Sequence, residues 1–216
     1  MCEWQGLECN GDGELIGIDL AGLDLLGGSI PPALGQITTL ERIRLNATRL
    51  AGPIPGSVAA LNYLVEFTAS DNSLTGTLPN FYSAKLQTLN VSFNQLVGSI
   101  SSGFYYGALG HDQLHCLDLE DNRLTGTLSE AMGMWTFMET LSLSNNDLSG
   151  TLPAALGLLA AQNLKYLYLD GNLFIGTLPE GMANSPDTKL QEVWLHENLL
   201  SGTVSNHTRL FNFVYN

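Results

Sequence analysis

The residues able to do chemistry gather in one short segment. His111, Asp112, His115 and Cys116 bring imidazole, carboxylate and thiol close together in the chain, the donor types that hold zinc. A shared metal would need His111 and His115 one helical turn apart, but the apolar alternation that opens at Leu114 is that of a strand, which loses that convergence. We therefore expect no metal and no cofactor. Cys116, Asp118 and Glu120 stand at alternate places and share one strand face, with Asp121 just beyond. Such a cluster suits a cation or a basic partner, or is a solvated acidic face. Cys116 is a poor nucleophile there, because neighbouring carboxylates raise a thiol's pKa and deplete the thiolate. No hydrolase elbow, phosphate-binding loop or Ser/His/Asp arrangement accompanies it, so we expect no enzyme in this chain and take recognition as the remaining chemistry.

Composition narrows the partners. The 216 residues hold 8 Lys and Arg against 21 Asp and Glu, a net charge of −13 that repels phosphate backbones and anionic lipid, so nucleic acid is excluded as a partner. Apolar residues make up 44% of the chain. Every apolar stretch is nevertheless broken by Gly, Pro, Asn or Asp before the roughly 20 residues a membrane span needs. Cys2 follows Met1 without the basic and apolar regions of a signal peptide, so an export signal is expected upstream.

The 40 Leu, 17 Asn and 23 Gly come from a repeat. Its unit is L-x-x-L-x-L-x-x-N-x-L-x-G-x-I/L-P, with copies opening at Leu15, Leu40, Leu64, Leu86, Leu114, Met138, Leu164 and Leu190 and a ninth breaking off after Leu210. Spacings between starts run from 22 to 28 residues, and the last is 20. Periods of this size mark solenoids. In L-x-x-L-x-L the Leu residues face one side of a short strand, and places three, five and seven face the other. Stacking predicts an α/β repeat fold, a right-handed solenoid whose parallel sheet lines a concave face. The Asn at place nine is expected to satisfy backbone groups of its own and adjacent turns. The L-x-G-x-I/L-P element suggests a second short strand on the flank, followed by a helical or irregular return such as Ala154 to Leu159.

The L-x-G-x-I-P element, clearest in Gly28 to Pro31 and Gly52 to Pro55, resembles that of plant-type leucine-rich-repeat proteins, which include receptor-kinase ectodomains and polygalacturonase-inhibiting proteins. Cys2, Trp4, Gly6 and Cys9 match the C-x-W-x-G-x-x-C end of that family's N-terminal cap, so the resemblance covers essentially the whole chain. It implies a disulfide between Cys2 and Cys9 with Trp4 packed over the first repeat, sealing an open apolar end. It also divides the chain into the second half of a cap over 1–14, eight repeats over 15–209 and the start of a ninth over 210–216. The cap's preceding helix, a C-terminal cap, a membrane span, a kinase motif and the island insertion of steroid-type receptors are missing, so we expect an ectodomain fragment. Three sequons, at Asn46, Asn90 and Asn206, join the cap match in favouring an extracellular or cell-surface protein. Asn46 and Asn90 occupy places seven and five, so glycans there would stand on the concave face over repeats two to four and shift binding toward repeats five to eight.

A non-enzymatic module that binds a protein, peptide or glycan on the concave face, as part of a receptor-like protein, is the leading expectation. A soluble inhibitor of a secreted wall-degrading enzyme is the alternative. Reading places three, five and seven gives Tyr166, Tyr168 and Asp170, then Glu192, Trp194 and His196 on the neighbouring strand. With Glu197 beside them, these suit a ligand carrying an apolar anchor and a basic group, or a sugar stacked on Trp194; the plainer reading is aromatics shielding a sheet edge. Asp118, Glu120 and Asp121 form the second candidate patch. A minor alternative is ice binding through the flank hydroxyls at Ser29, Thr77, Ser99, Thr127, Thr151, Thr177 and Thr203, with Thr75, Thr125, Ser149 and Ser201 two places earlier; Pro53, Val97 and Ile175 interrupt these columns.

From the cap resemblance, alkylating the secreted protein without reduction and weighing it intact is expected to show one modified cysteine, Cys116. Three modified cysteines would overturn the Cys2–Cys9 pairing.

Overall fold

The computed structural model describes residues 3–23, 27–105, 113–182 and 188–202 and the backbone of 213–214. Cys2, His111, Asp112, Thr203 and Asn206 lie outside the described residues. Each repeat lays down one short strand: Leu15–Asp19, Arg42–Arg44, Glu66–Thr68, Thr88–Asn90, Cys116–Asp118, Thr140–Ser142, Tyr166–Tyr168 and Glu192–Trp194, with Phe213–Val214 at the last position. These pair in parallel in chain order, and Leu7–Cys9 adds an antiparallel strand at the first edge, making a ten-stranded sheet. The register matches place for place: Ile18, Ile43, Phe67, Leu89, Leu117, Leu141, Leu167 and Val193, all fourth in their repeats, sit side by side. Repeats of 22 and of 28 residues therefore contribute the same single step to this sheet. The chain is a leucine-rich-repeat solenoid with this sheet on its concave side.

The apolar places of every repeat point into one continuous core. Leu40, Leu64, Leu86, Leu114, Met138 and Leu164 are fully buried, and so are the fourth-place residues from Ile43 to Val193. Several returns between repeats hold short 3-10 or α-helical pieces, the longest among the described residues being Ala155–Gln162. Phe104, Tyr105 and Trp135 fill the outer side of repeats four and five with one aromatic cluster, Tyr105 stacked on Trp135 at 5.2 Å and Phe104 edge-on to it at 6.0 Å.

What closes each turn is the side chain at place nine. Asn122 donates through Nδ2 to the carbonyls of Leu119 and Glu120 in its own repeat and of Val91 in the preceding one, and its Oδ1 accepts the N–H of Leu96 in that preceding repeat. Asn72, Asn94, Asn146, Asn172 and Asn198 repeat this pattern, each reaching back to the sixth-place carbonyl and the eleventh-place N–H of the repeat before. Repeat two carries Thr48 there, whose hydroxyl bonds its own Leu45 carbonyl and Asn72 Oδ1 of the following repeat. The ladder requires place eight to turn in the left-handed region, and Ala47, Asp71, Phe93, Asp121, Asn145, Gly171 and Glu197 all have positive φ.

The expected flank strands form a five-stranded sheet, from Val97–Gly98 through Arg123–Thr127, Asp147–Thr151 and Leu173–Gly176 to Leu199–Leu200, and a pair, Ala51–Pro53 with Ser73–Thr75. Gly at place thirteen is required by both conformation and space: Gly150 has φ +81, and a Cβ there would lie 2.7 Å from Thr127 Cγ2.

One expectation is corrected at the cap. Trp4 is 74% exposed and does not cover the first repeat. Leu7–Cys9 lies along the edge of the Leu15–Asp19 strand, and the tight turn that leads into it, with the Leu7 N–H donating to the Trp4 carbonyl, carries Trp4 outward. Leu7, Leu15 and Leu20 pack on the core in its place.

Replacing Asn122 by Ala leaves several buried backbone groups without partners, at about 1–3 kcal/mol each. Chemical denaturation is expected to show a loss of about 3 kcal/mol or more, whereas Thr127→Ala on the exposed flank stays within about 0.5 kcal/mol.

Candidate functional site

Places three, five and seven of successive strands tile the concave face, and the character of that surface changes along the solenoid. At the first end it is an ion-pair ladder. Arg42 meets Glu8 at 2.7 Å, and Arg44 holds Glu66 through two nitrogens at 2.8 and 2.7 Å while reaching Asp19 at 3.4 Å. Hydrogen bonding to Glu66 raises the Arg44 pKa further above its ordinary value. Both arginines are thus neutralised within their own neighbourhood.

Repeats two to four continue with half-buried polar groups bonded to one another. Asn46 donates to Thr68 Oγ1 at 3.0 Å and accepts from the Ser70 N–H at 2.9 Å; Asn90 donates to Asp118 Oδ2 at 3.0 Å and accepts from Ser92. The two sequon side chains therefore sit in cross-strand hydrogen bonds on this face.

Repeat five places Cys116, Asp118 and Glu120 together, with Asp121 at the following turn. Cys116 is a free thiol whose pKa burial pushes up to about 11, with Asp118 adding to the shift, which keeps it protonated and unreactive at neutral pH. Burial also raises the pKa of Asp118 despite the bonds it accepts, and raises Glu120, where the Asp118 charge adds to it. Among the described residues no three His, Cys, Asp or Glu groups are arranged to hold a metal ion.

Repeat six is lined by the short side chains of Thr140, Ser142 and Ser144, and its serines tie the acids on either side. Ser142 donates to Glu120 at 3.3 Å, and Ser144 donates to Asp170 Oδ1. Beyond them the six residues of the first candidate patch come together. Register sets Tyr166 beside Glu192 and Tyr168 beside Trp194. The Tyr168 and Trp194 rings meet edge to face at 5.3 Å, and Trp194 lies 6.1 Å from the His196 ring. The Tyr168 hydroxyl donates to Glu192 at 3.1 Å, and desolvation, reinforced by that carboxylate, pushes its pKa up to about 12. Asp170 is buried, 3.7 Å from His196 Nε2, while His196 Nδ1 is buried with no hydrogen-bond partner among the described residues. Trp194 remains 39% exposed on a sheet whose other face already holds the core.

Two parts of this surface escaped the reading of strand places. Ser142 and Ser144 link the acidic and aromatic patches; a signal for them was in the seventh-place column, where Glu120, Ser144, Asp170 and His196 follow one another. Phe93, 46% exposed on a backbone of φ +52, stands at the rim two strands before the aromatic patch's serine neighbours. An aromatic at place eight was its signal.

The Leucine Rich Repeat family model matches residues 85–106, 113–135, 137–159 and 163–185. The matched segments are leucine-rich repeats, and they are similar to repeats of plant receptor-like kinases. It is 40% identical over 80 residues to the LRR receptor-like serine/threonine-protein kinase GSO2 of Arabidopsis thaliana, a match covering 37% of the chain and 6% of that kinase. Among solved structures, it is similar to the plant peptide hormone receptor RGFR1 in complex with RGF2, with TM-score 0.81 and 26% identity over 99% of the chain and 37% of the receptor. It is also similar to a plant ice-binding protein, with TM-score 0.80 and 28% identity over 92% of the chain and 63% of that protein. Among the described residues no helix is long and apolar enough to cross a membrane.

The raised carboxylates of repeat five make stability depend on pH. Between the ordinary carboxylate range and their raised pKa values the folded state binds more protons than the unfolded chain, so stability falls as pH rises through that window. Asp118→Asn with Glu120→Gln is expected to be more stable than the parent at neutral pH, and thermal melts from about pH 4 upward should show a flatter profile for the variant.

Proposed function

We propose that this chain is a recognition segment of a receptor-like protein at the cell surface, a non-enzymatic module that holds a peptide on its concave face at repeats seven and eight. The observation that carries this reading is the pairing of half-exposed Trp194 with Tyr168 on a face that needs no apolar residue for folding. Large aromatics at such positions are characteristic of interface anchors. The likeness to a peptide hormone receptor supports a peptide as the ligand class. Because the chain spans 6% of the kinase it matches, catalytic activity in a full-length protein would belong to segments outside these repeats. The Cys2–Cys9 bond and carbohydrate at Asn46, Asn90 and Asn206 belong to the same extracellular reading.

The likeness to an ice-binding protein gives a second reading some support. The exposed flank does carry hydroxyls at place fourteen in consecutive repeats from Thr77 through Ser99, Thr127 and Thr151 to Thr177, but the columns beside it are broken by Arg123, Asp147, Val97, Leu173, Ile175 and Leu199. The concave face remains the favoured site.

Trp194→Ala and Tyr168→Ala remove the anchor without opening the core. Each is expected to weaken binding of a peptide ligand by about 2 kcal/mol with an unchanged melting temperature. Full affinity in the double variant would overturn the assignment of this patch.

A further inference from the structure

The concave face has a lopsided charge pattern that bears on what the aromatic seat receives. Its arginines stand in repeat two, and Glu8, Asp19 and Glu66 satisfy them. At places three, five, seven and eight of repeats five to eight there is no Lys or Arg at all, against six carboxylates: Asp118, Glu120, Asp121, Asp170, Glu192 and Glu197. Lys165, at place two of repeat seven, is held by Glu139 at 2.8 Å. Asp170 is buried between Ser144 and His196, and Glu192 takes the Tyr168 hydroxyl. Of the remaining carboxylates, Asp118, Glu120 and Asp121 are clustered and only partly buried, and they receive bonds from Asn90, Ser142 and Asn145 without a cation among the described residues. Between this cluster and the aromatic seat lies repeat six, whose Thr140, Ser142 and Ser144 raise no bulky ridge.

Distance decides what can engage both ends. Parallel strands are about 4.8 Å apart, so repeat five lies about 10 Å from the strand of Tyr168 and about 14 Å from that of Trp194. An extended chain advances about 3.3–3.6 Å per residue and covers those gaps in about three to four residues.

We propose that the occupant of this face is an extended cationic peptide segment that crosses repeats five to eight, with an apolar side chain on Trp194 and Tyr168 and a Lys or Arg three or four residues away beside Asp118, Glu120 and Asp121. The proposal rests on the concave-face reading above and adds the charge and spacing of the ligand. The apolar residue covers the exposed indole, and the cation meets carboxylates that no cation among the described residues neutralises. An acidic segment would meet the same carboxylates as like charges, which suppresses the wrong partner.

The test is selection of a random dodecamer peptide library displayed on phage against the whole chain, followed by affinity measurements on synthetic copies of the enriched peptides. The expected peptides carry net positive charge and place Lys or Arg three or four residues from an aromatic or aliphatic residue. Glu120→Gln with Asp121→Asn keeps the side-chain sizes and the Ser142 and Asn145 contacts, so folding is preserved. That variant is expected to bind about tenfold more weakly and to lose much of the salt dependence. Enriched peptides that lack a basic residue, show no preferred spacing, or keep full affinity for this variant while failing on Trp194→Ala overturn the proposed occupant and leave the aromatic seat standing. Binding indifferent to Trp194→Ala and Tyr168→Ala, or no enrichment, overturns both.

Discussion

The amide at place nine is the interaction on which the rest of this molecule depends. A parallel sheet with one strand per turn must bend its backbone sharply after each strand, in an apolar interior where water cannot reach the exposed N–H and C=O groups. One Asn supplies donors and an acceptor at once, and it spends them on two consecutive turns. The same side chain therefore seals its own bend and fixes the register of the repeat before it. Thr48 shows the effect of a shorter group: its hydroxyl bonds the local Leu45 carbonyl and Asn72 Oδ1 of the next repeat, and Asn72 provides the link backward to Leu45 and Leu50.

Because stability is secured by the Asn ladder and the buried Leu columns, the concave residues are released from folding duty. That release explains why this face runs from arginine through small polar groups and acids to aromatics without any change in the backbone beneath it. The chemistry of the surface is written by side chains on a constant frame, and neighbouring strands combine those side chains into patches that no single repeat contains.

Most of the architecture was legible because its causes are periodic. Alternation of apolar residues specifies a strand face, and a fixed Asn spacing specifies stacking, so register, core and flank strands followed from counting. The candidate patches were legible to the same depth: once Tyr168 and Trp194 share a place in adjacent repeats, their proximity follows. Trp4 was misread because it lies before the first repeat, where no period constrains it and a local turn decides its direction. The serine links to Glu120 and Asp170 were missed for another reason, since side-chain hydrogen bonds depend on rotamers that spacing does not specify.

The constancy of one strand per repeat, whatever the repeat's length, makes the inner face a graduated scale. Differences in repeat length, as between the 22-residue and 28-residue repeats, leave the strand register and so the graduations untouched. Distances between groups on this face can then change only in whole steps, by insertion or deletion of an entire repeat. Selectivity among partners of similar chemistry but different spacing is consequently discrete, and a lineage of such proteins would move between ligand lengths in jumps.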